Sequence, residues 1–340
     1  MTQPTIFGLA GPELNADERA FFGEVKPLGF ILFARNCVTR DQVAALCADL
    51  RAVVGQSDAP ILIDQEGGRV ARLKPPQWRH PPPARVFGTL WDRDRDAAVR
   101  ASFLNGQLIG ADLAACGINV DCAPVLDVPV PGSHDIIGDR AFHTEVAAIV
   151  ALARAFADGL IAGGVLPVVK HIPGHGRATA DSHAALPVVS ADPESLEQDF
   201  APFAALRDLP LAMTAHVLFS RIDPNHPTTT SARVVSEVIR GKIGFQGLLM
   251  SDDVSSNMKA LSGTYAERAR DSLAAGCDAV LHCDGDLAAM QAVAAAVPLI
   301  GDRTAVRWAQ ASFLIAQTVP VDIAAIGREL DALLPAPASH

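Results

Sequence analysis

The chain has 340 residues, 49% of them hydrophobic, enough to bury a large core as one domain or as two smaller ones. Its 38 acidic and 28 basic residues give a formal charge of −10, which argues against nucleic acid or an anionic membrane as main partner. No run approaches the ~18 uninterrupted apolar residues of a membrane-spanning helix.

The first segment, MTQPTIFGLAG, has no cationic stretch leading into a long apolar one, so a cytoplasmic protein is expected. The six cysteines (37, 47, 116, 122, 277 and 283) form no CxxC pair and no dense framework, and free thiols are expected. Short apolar runs then recur at 6–10, 29–33, 60–64, 118–121, 166–170, 211–216, 247–252 and 279–283. Between them the apolar residues take a helical period. Val43, Leu46, Leu50 and Val53 share one face, as do Ile149, Leu152, Phe156 and Leu160. Ala266, Ala269 and Leu273 form a further stripe, with Gly276 placed to end it. The Pro-rich stretch 74–85 is irregular. Two helices are predicted from Thr304 onward.

This alternation predicts an α/β fold: a TIM-like (β/α)8 barrel in a single domain, residues 1–335, with a disordered tail at 336–340. A doubly wound open sheet also fits the alternation. The polar residues favour the barrel, because Asp64, Asp121, Lys170, His171, His216, Asp252 and Asp253 all fall at the C-terminal ends of predicted strands. A barrel brings those ends to one rim; an open sheet spreads them along an edge. No Gly-x-Gly-x-x-Gly follows a strand and there is no Walker loop, which removes the usual nucleotide readings.

The densest chemistry lies in KHIPGHGRATADSH, residues 170–183. Pro173, Gly174 and Gly176 forbid a regular element there, so a strand ends in a titratable loop. Asp181 and His183 are spaced to act together, since a carboxylate fixes a histidine's tautomer and raises its basicity. Lys170 is either a sugar-binding cation, a Schiff-base lysine, or one half of an ion pair with Asp121 or Asp252. His171 and His175 cannot share a helical face across Pro173–Gly174, unlike the histidines of a zinc protease. Asp252, at the end of a buried strand, suits a covalent glycosidase nucleophile or a helix cap; Asp253 suits the cap better. In DQEGGRVAR (64–72) the acids suit sugar hydroxyls, the glycines allow close backbone approach, and Glu66 and Arg69 are placed to neutralise each other. Arg140 adds a cation from the loop after 119–127.

These blocks together resemble glycoside hydrolase family 3, and within it the single-domain bacterial β-N-acetylglucosaminidases. The matching runs are GFILFARN (29–36), ILIDQEGGRVARL (61–73), NVDCAPVLDV (119–128), IIGDRAF (136–142), VVKHIPGHGRATADSH (168–183), MTAHVLF (213–219), GLLMSDDVS (247–255) and AGCDAVLHC (275–283). The resemblance implies retaining, two-step hydrolysis of terminal β-linked N-acetylglucosamine. Asp252 would be the nucleophile, His183 the acid/base and Asp181 its orienting partner. Asp64, Arg72, Arg140, Lys170 and His171 would hold the sugar, with His216 grouped beside them in support. It further implies a muropeptide or other small saccharide as substrate, cell-wall recycling in the cytoplasm, a monomer, and no metal or organic cofactor. A phosphorylase using the same two residues is the nearest rival. Ile172 replaces a frequent phenylalanine, and the segment after Asp253 is longer than the family pattern.

Overall fold

The computed structural model describes residues 2–334 apart from 134, 179, 181–184, 256–257, 259 and 317–321. All the expected strands are present: β1 (Gln3–Gly8), β2 (Pro27–Leu32), β3 (Ile61–Ile63), β4 (Val120–Asp121), β5 (Leu166–Ile172), β6 (Leu211–Thr214), β7 (Leu248–Asp253) and β8 (Ala279–His282). They pair in parallel, each with its neighbours in sequence, and β8 closes onto β1. The open sheet is thereby excluded. The helices that cover the barrel are α1 (Ala16–Val25), α2 (Arg40–Val54), α3 (Ala84–Trp91), α4 (Arg95–Ala114), α5 (Val146–Ala162), α6 (Pro193–Ala205), α7 (Tyr265–Ala275), α8 (Leu287–Ala296), α9 (Asp302–Phe313) and α10 (Ile323–Leu333). A π-helical turn, Val234–Lys242, precedes β7.

Strand alternation sorts the core into two layers. Ile6, Ile31, Leu62, Val168, Met213, Met250 and Leu281 point into the barrel and form one cluster. Phe7, Phe30, Ile61, Val169, Ala212, Leu249 and Val280 point outward and pack with the helices in another. Both strand faces are therefore buried, which is why these segments read as continuous apolar runs.

Local chemistry starts and stops the helices. Asn15 and Glu18 form a capping box on α1, and Thr264 and Glu267 form one on α7. Gly276, at φ 114°, ends α7 as expected from sequence. At the N-terminal end of the barrel, Trp308 and Ala311 of α9 join the inner cluster. Arg307 of the same helix reaches Asp278, just before β8, at 2.7 Å. Among the described residues no helix is long and apolar enough to cross a membrane.

Candidate active site

The same alternation builds the site. One further inward position beyond the inner cluster gives Phe33, Asp64, Lys170, Asp252 and Cys283. All five line a single cavity of about 560 Å³. The barrel's interior thus changes from apolar to charged at its C-terminal end, where the strands stop.

The charges there are neutralised across strands. Lys170 Nζ lies 2.8 Å from Asp64 Oδ1 and 2.6 Å from Glu66 Oε1. Arg72 takes the other Asp64 oxygen at 2.9 Å, and Arg140 grips Glu66 through Nε and Nη2, each at 2.8 Å. Burying lone charges here would be costly, but each carboxylate meets two cations. Burial pushes both acids up. Lys170 and Arg72 nonetheless hold Asp64 well below the usual range, and Arg140 and Lys170 hold Glu66 at about 2. Burial alone would discharge Lys170, yet Asp64 and Glu66 raise it above its ordinary value. A lysine held charged in this way is a poor Schiff-base nucleophile. Its partners are Asp64 and Glu66, not Asp121 or Asp252.

Asp121 lies behind this network, fully buried, with Oδ1 accepting the Gln65 N–H at 2.9 Å. Burial pushes its carboxyl up to about 8. Arg69 does not neutralise Glu66. It bonds Asp139 at 2.9 Å and the carbonyls of residues 135–137, tying two rim loops together. Gly67 and Gly68, both at positive φ, serve a tight turn: a Cβ on Gly67 would sit 2.2 Å from the Pro82 carbonyl.

The adjacent acids of β7 have different surroundings. Asp253 is buried, and its carboxylate accepts from the N–H groups of Ser255 (2.9 Å) and Cys283 (3.0 Å) and from the Ser255 hydroxyl (2.6 Å). It fastens β7 to β8 and does not cap the next helix as expected from sequence; Thr264 caps α7. Asp252 faces the cavity and makes no ion pair among the described residues. Its N–H donates to Thr214 Oγ1 at 3.1 Å. That hydroxyl is 2.8 Å from Thr229 Oγ1, which is 2.7 Å from His216 Nδ1. His216 Nε2 in turn lies 2.7 Å from the Asp253 carbonyl, which can only accept. In a neutral ring Nε2 therefore donates, Nδ1 accepts from Thr229, and Thr229 accepts from Thr214. His216 is fully buried with both ring nitrogens engaged. It is a support of the Asp252–Asp253 turn rather than a group that touches a ligand.

His171 Nδ1 is 2.7 Å from Asp127 Oδ2. Asp127 Oδ1 also accepts the His175 N–H at 2.6 Å. His171 and His175 do come together around Pro173–Gly174, with ring centroids 5.8 Å apart, and both line the cavity. Burial and the neighbouring His171 lower His175 to about 4, so it stays neutral. Asp181 and His183 lie outside the described residues. The structure thus brings together Asp64, Arg72, Arg140, Lys170, His171 and Asp252 on one cavity. Sequence reasoning missed Phe33 and Arg35 on its wall and the anchoring role of Asp127. Continuing the strand alternation would have found Phe33.

Residues 8–304 match the family model described as glycosyl hydrolase family 3 N terminal domain. The chain is 40% identical over 293 residues to a beta-hexosaminidase of Bordetella pertussis, covering 84% of this chain and 81% of the relative. A beta-hexosaminidase of Chromobacterium violaceum is also 40% identical, over 298 residues, covering 87% of this chain and 82% of its own. In fold it is similar to the crystal structure of NagZ from Neisseria gonorrhoeae in complex with N-trifluoroacetyl-D-glucosamine. The TM-score is 0.86, with 31% identity and 98% of each chain covered.

Proposed function

This chain belongs to glycosyl hydrolase family 3, and from that membership we propose that it removes terminal β-linked N-acetylglucosamine through a covalent glycosyl-enzyme. The observation that carries the reading is the position of Asp252. It is a carboxylate without an ion-pair partner among the described residues, facing a cavity where fixed cations neutralise Asp64 and Glu66 and where Ser255 and the Cys283 N–H hold Asp253. Asp64 keeps lone pairs for sugar hydroxyls, while Arg72, Lys170 and His171 present donors or acceptors around it. An N-acetylglucosamine ring held by these groups would offer its anomeric carbon to Asp252.

In the first step Asp252 attacks that carbon, and the leaving oxygen takes a proton from His183. In the second, His183 removes a proton from water, and the water displaces Asp252 with net retention. Asp181 would orient His183. The relatives named beta-hexosaminidase, and the N-acylglucosamine bound by the Neisseria protein, support the sugar assignment. The substrate we propose is a muropeptide in which N-acetylglucosamine is joined to 1,6-anhydro-N-acetylmuramic acid. Cleavage would take place in the cytoplasm during cell-wall recycling, by a monomer.

Release of nitrophenol from 4-nitrophenyl N-acetyl-β-D-glucosaminide tests the activity. Wild type should turn over, and Asp252→Ala should lose roughly three orders of magnitude or more in kcat. Equal turnover by both proteins would transfer the nucleophile's role to another carboxylate.

A further inference from the structure

Among the cations on the cavity wall, Arg72, Arg140 and Lys170 each pair with Asp64 or Glu66. Arg35, on the loop between β2 and α2, does not. Among the described residues no carboxylate lies within 4.0 Å of its guanidinium. Its hydrogen bonds run instead to main-chain carbonyls, from Nε to Leu9 at 2.7 Å and from Nη2 to Cys283 at 2.5 Å. Those carbonyls belong to the loops after β1 and β8. The guanidinium also lies over the Phe33 ring, 4.8 Å from its centroid, and Arg72 lies over the same ring at 5.4 Å. The nearest acids are engaged elsewhere. Asp253 accepts from Ser255 and Cys283, and Asp284 accepts the Asp286 N–H and approaches His282.

Arg35 is thus exposed, fixed in three ways and left with a full positive charge on the wall of the cavity. Neutral carbonyls hold the fork without cancelling it, and Nη1 makes no hydrogen bond among the described residues. A guanidinium held rigid in this way is preorganised for an anion, because little rotamer freedom is lost on binding. The groups that suit an uncharged sugar ring come from β3, β5, β7 and the loop after β4, whereas Arg35 is moored to β1 and β8. Terminal N-acetylglucosamine carries no charge, so an anion at Arg35 has to come from whatever the sugar is attached to.

We infer that Arg35 is a specificity-determining residue that binds a carboxylate carried by the leaving group. The inference rests on the glycosidase reading above. The test uses N-acetylglucosaminyl-β-1,4-N-acetylmuramic acid and the methyl ester of its lactyl carboxylate. The readout is the ratio of kcat/KM for acid over ester within each protein, so general damage to a variant cancels. Wild type should prefer the acid by about tenfold, a ratio typical of one charge-assisted hydrogen bond. Arg35→Gln should bring the ratio near one. Arg35→Lys should fall between, keeping a point charge without the fork. A wild-type ratio of one, or a wild-type ratio retained by Arg35→Gln, would overturn the inference while leaving the glycosidase reading intact. Failure of wild type to cleave either compound would overturn both. Inorganic phosphate, the other source of an anion, is separated by the ester. Phosphate-stimulated turnover yielding a sugar 1-phosphate, lost in Arg35→Gln, would show a site for free phosphate and overturn the assignment to the leaving group.

Discussion

Nδ1 of His171 lies 2.7 Å from Oδ2 of Asp127, and that contact sets which face of the imidazole a ligand meets. Burial pushes Asp127 up, but the adjacent His171 ring and the hydrogen bonds that the carboxylate accepts outweigh it and hold the carboxyl below its ordinary range. In the neutral imidazole the proton therefore sits on Nδ1, leaving Nε2 as an acceptor. Asp127→Asn would place an amide donor against that proton or turn the ring's tautomer over. We expect kcat/KM on the nitrophenyl glycoside to fall about 10–100-fold, mainly through KM, since His171 holds substrate rather than reacting. An unchanged KM would remove His171 from the binding set.

Lys170 is the common partner of two buried carboxylates. Replacing it by methionine keeps much of its volume but leaves Asp64 and Glu66 with one arginine each. Breaking a buried pair from one side costs about 3–5 kcal/mol. Urea denaturation of Lys170→Met should show a loss of that order. A loss below ~1 kcal/mol would mean that water already reaches the network.

Asp121 gives stability a pH dependence opposite to that of the paired acids. Burial raises its carboxyl from 3.8 to about 8, offset in part by the Gln65 N–H and Lys170 and reinforced by Asp64 and Glu66. Between those values the folded protein keeps a proton that the unfolded chain releases. Its contribution is complete below about pH 3.8 and is lost as pH rises to about 8. Asp121→Asn carries no such titration. Its Tm should therefore gain on that of wild type as pH is raised from 5 to 8 and then level off. A difference that stays constant with pH would contradict the assignment.

Thr214 is the acceptor for the Asp252 N–H and the first link toward Thr229 and His216. Thr214→Val keeps the shape and removes the acceptor, leaving a main-chain donor short of a partner at a cost of about 1–3 kcal/mol. Because this chain of bonds sets the nucleophile's position rather than holding the sugar, kcat should fall more than KM rises. Steady-state kinetics on the nitrophenyl glycoside read both, and a pure KM effect would contradict a positioning role.

Sequence made the barrel legible because every strand is buried on both faces and the helices between keep their period. It also placed Asp64, Lys170 and Asp252 at strand ends on the cavity side. Partnerships were harder to read. The strand expected to stop at Lys170 runs on to Ile172, with Lys170 paired to Asp64 and Glu66 and His171 hydrogen-bonded to Asp127 from elsewhere in the barrel. Glu66 looked paired with Arg69 nearby but bonds Arg140, 74 residues away. The strand expected at 118–121 shortens to Val120–Asp121, and Asn119 instead caps the start of β3 by accepting the Ile61 N–H at 2.7 Å. Such choices depend on which loops meet in space, which local spacing does not encode.

The most direct measurement is mass spectrometry of the protein incubated with a slow 5-fluoro N-acetyl-β-glucosaminyl fluoride, followed by peptide mapping. The account predicts one added glycosyl group on the peptide containing Asp252, absent from Asp252→Asn. A glycosyl group on any other residue, or rapid turnover of β-N-acetylglucosaminides with no trapped adduct, would contradict it.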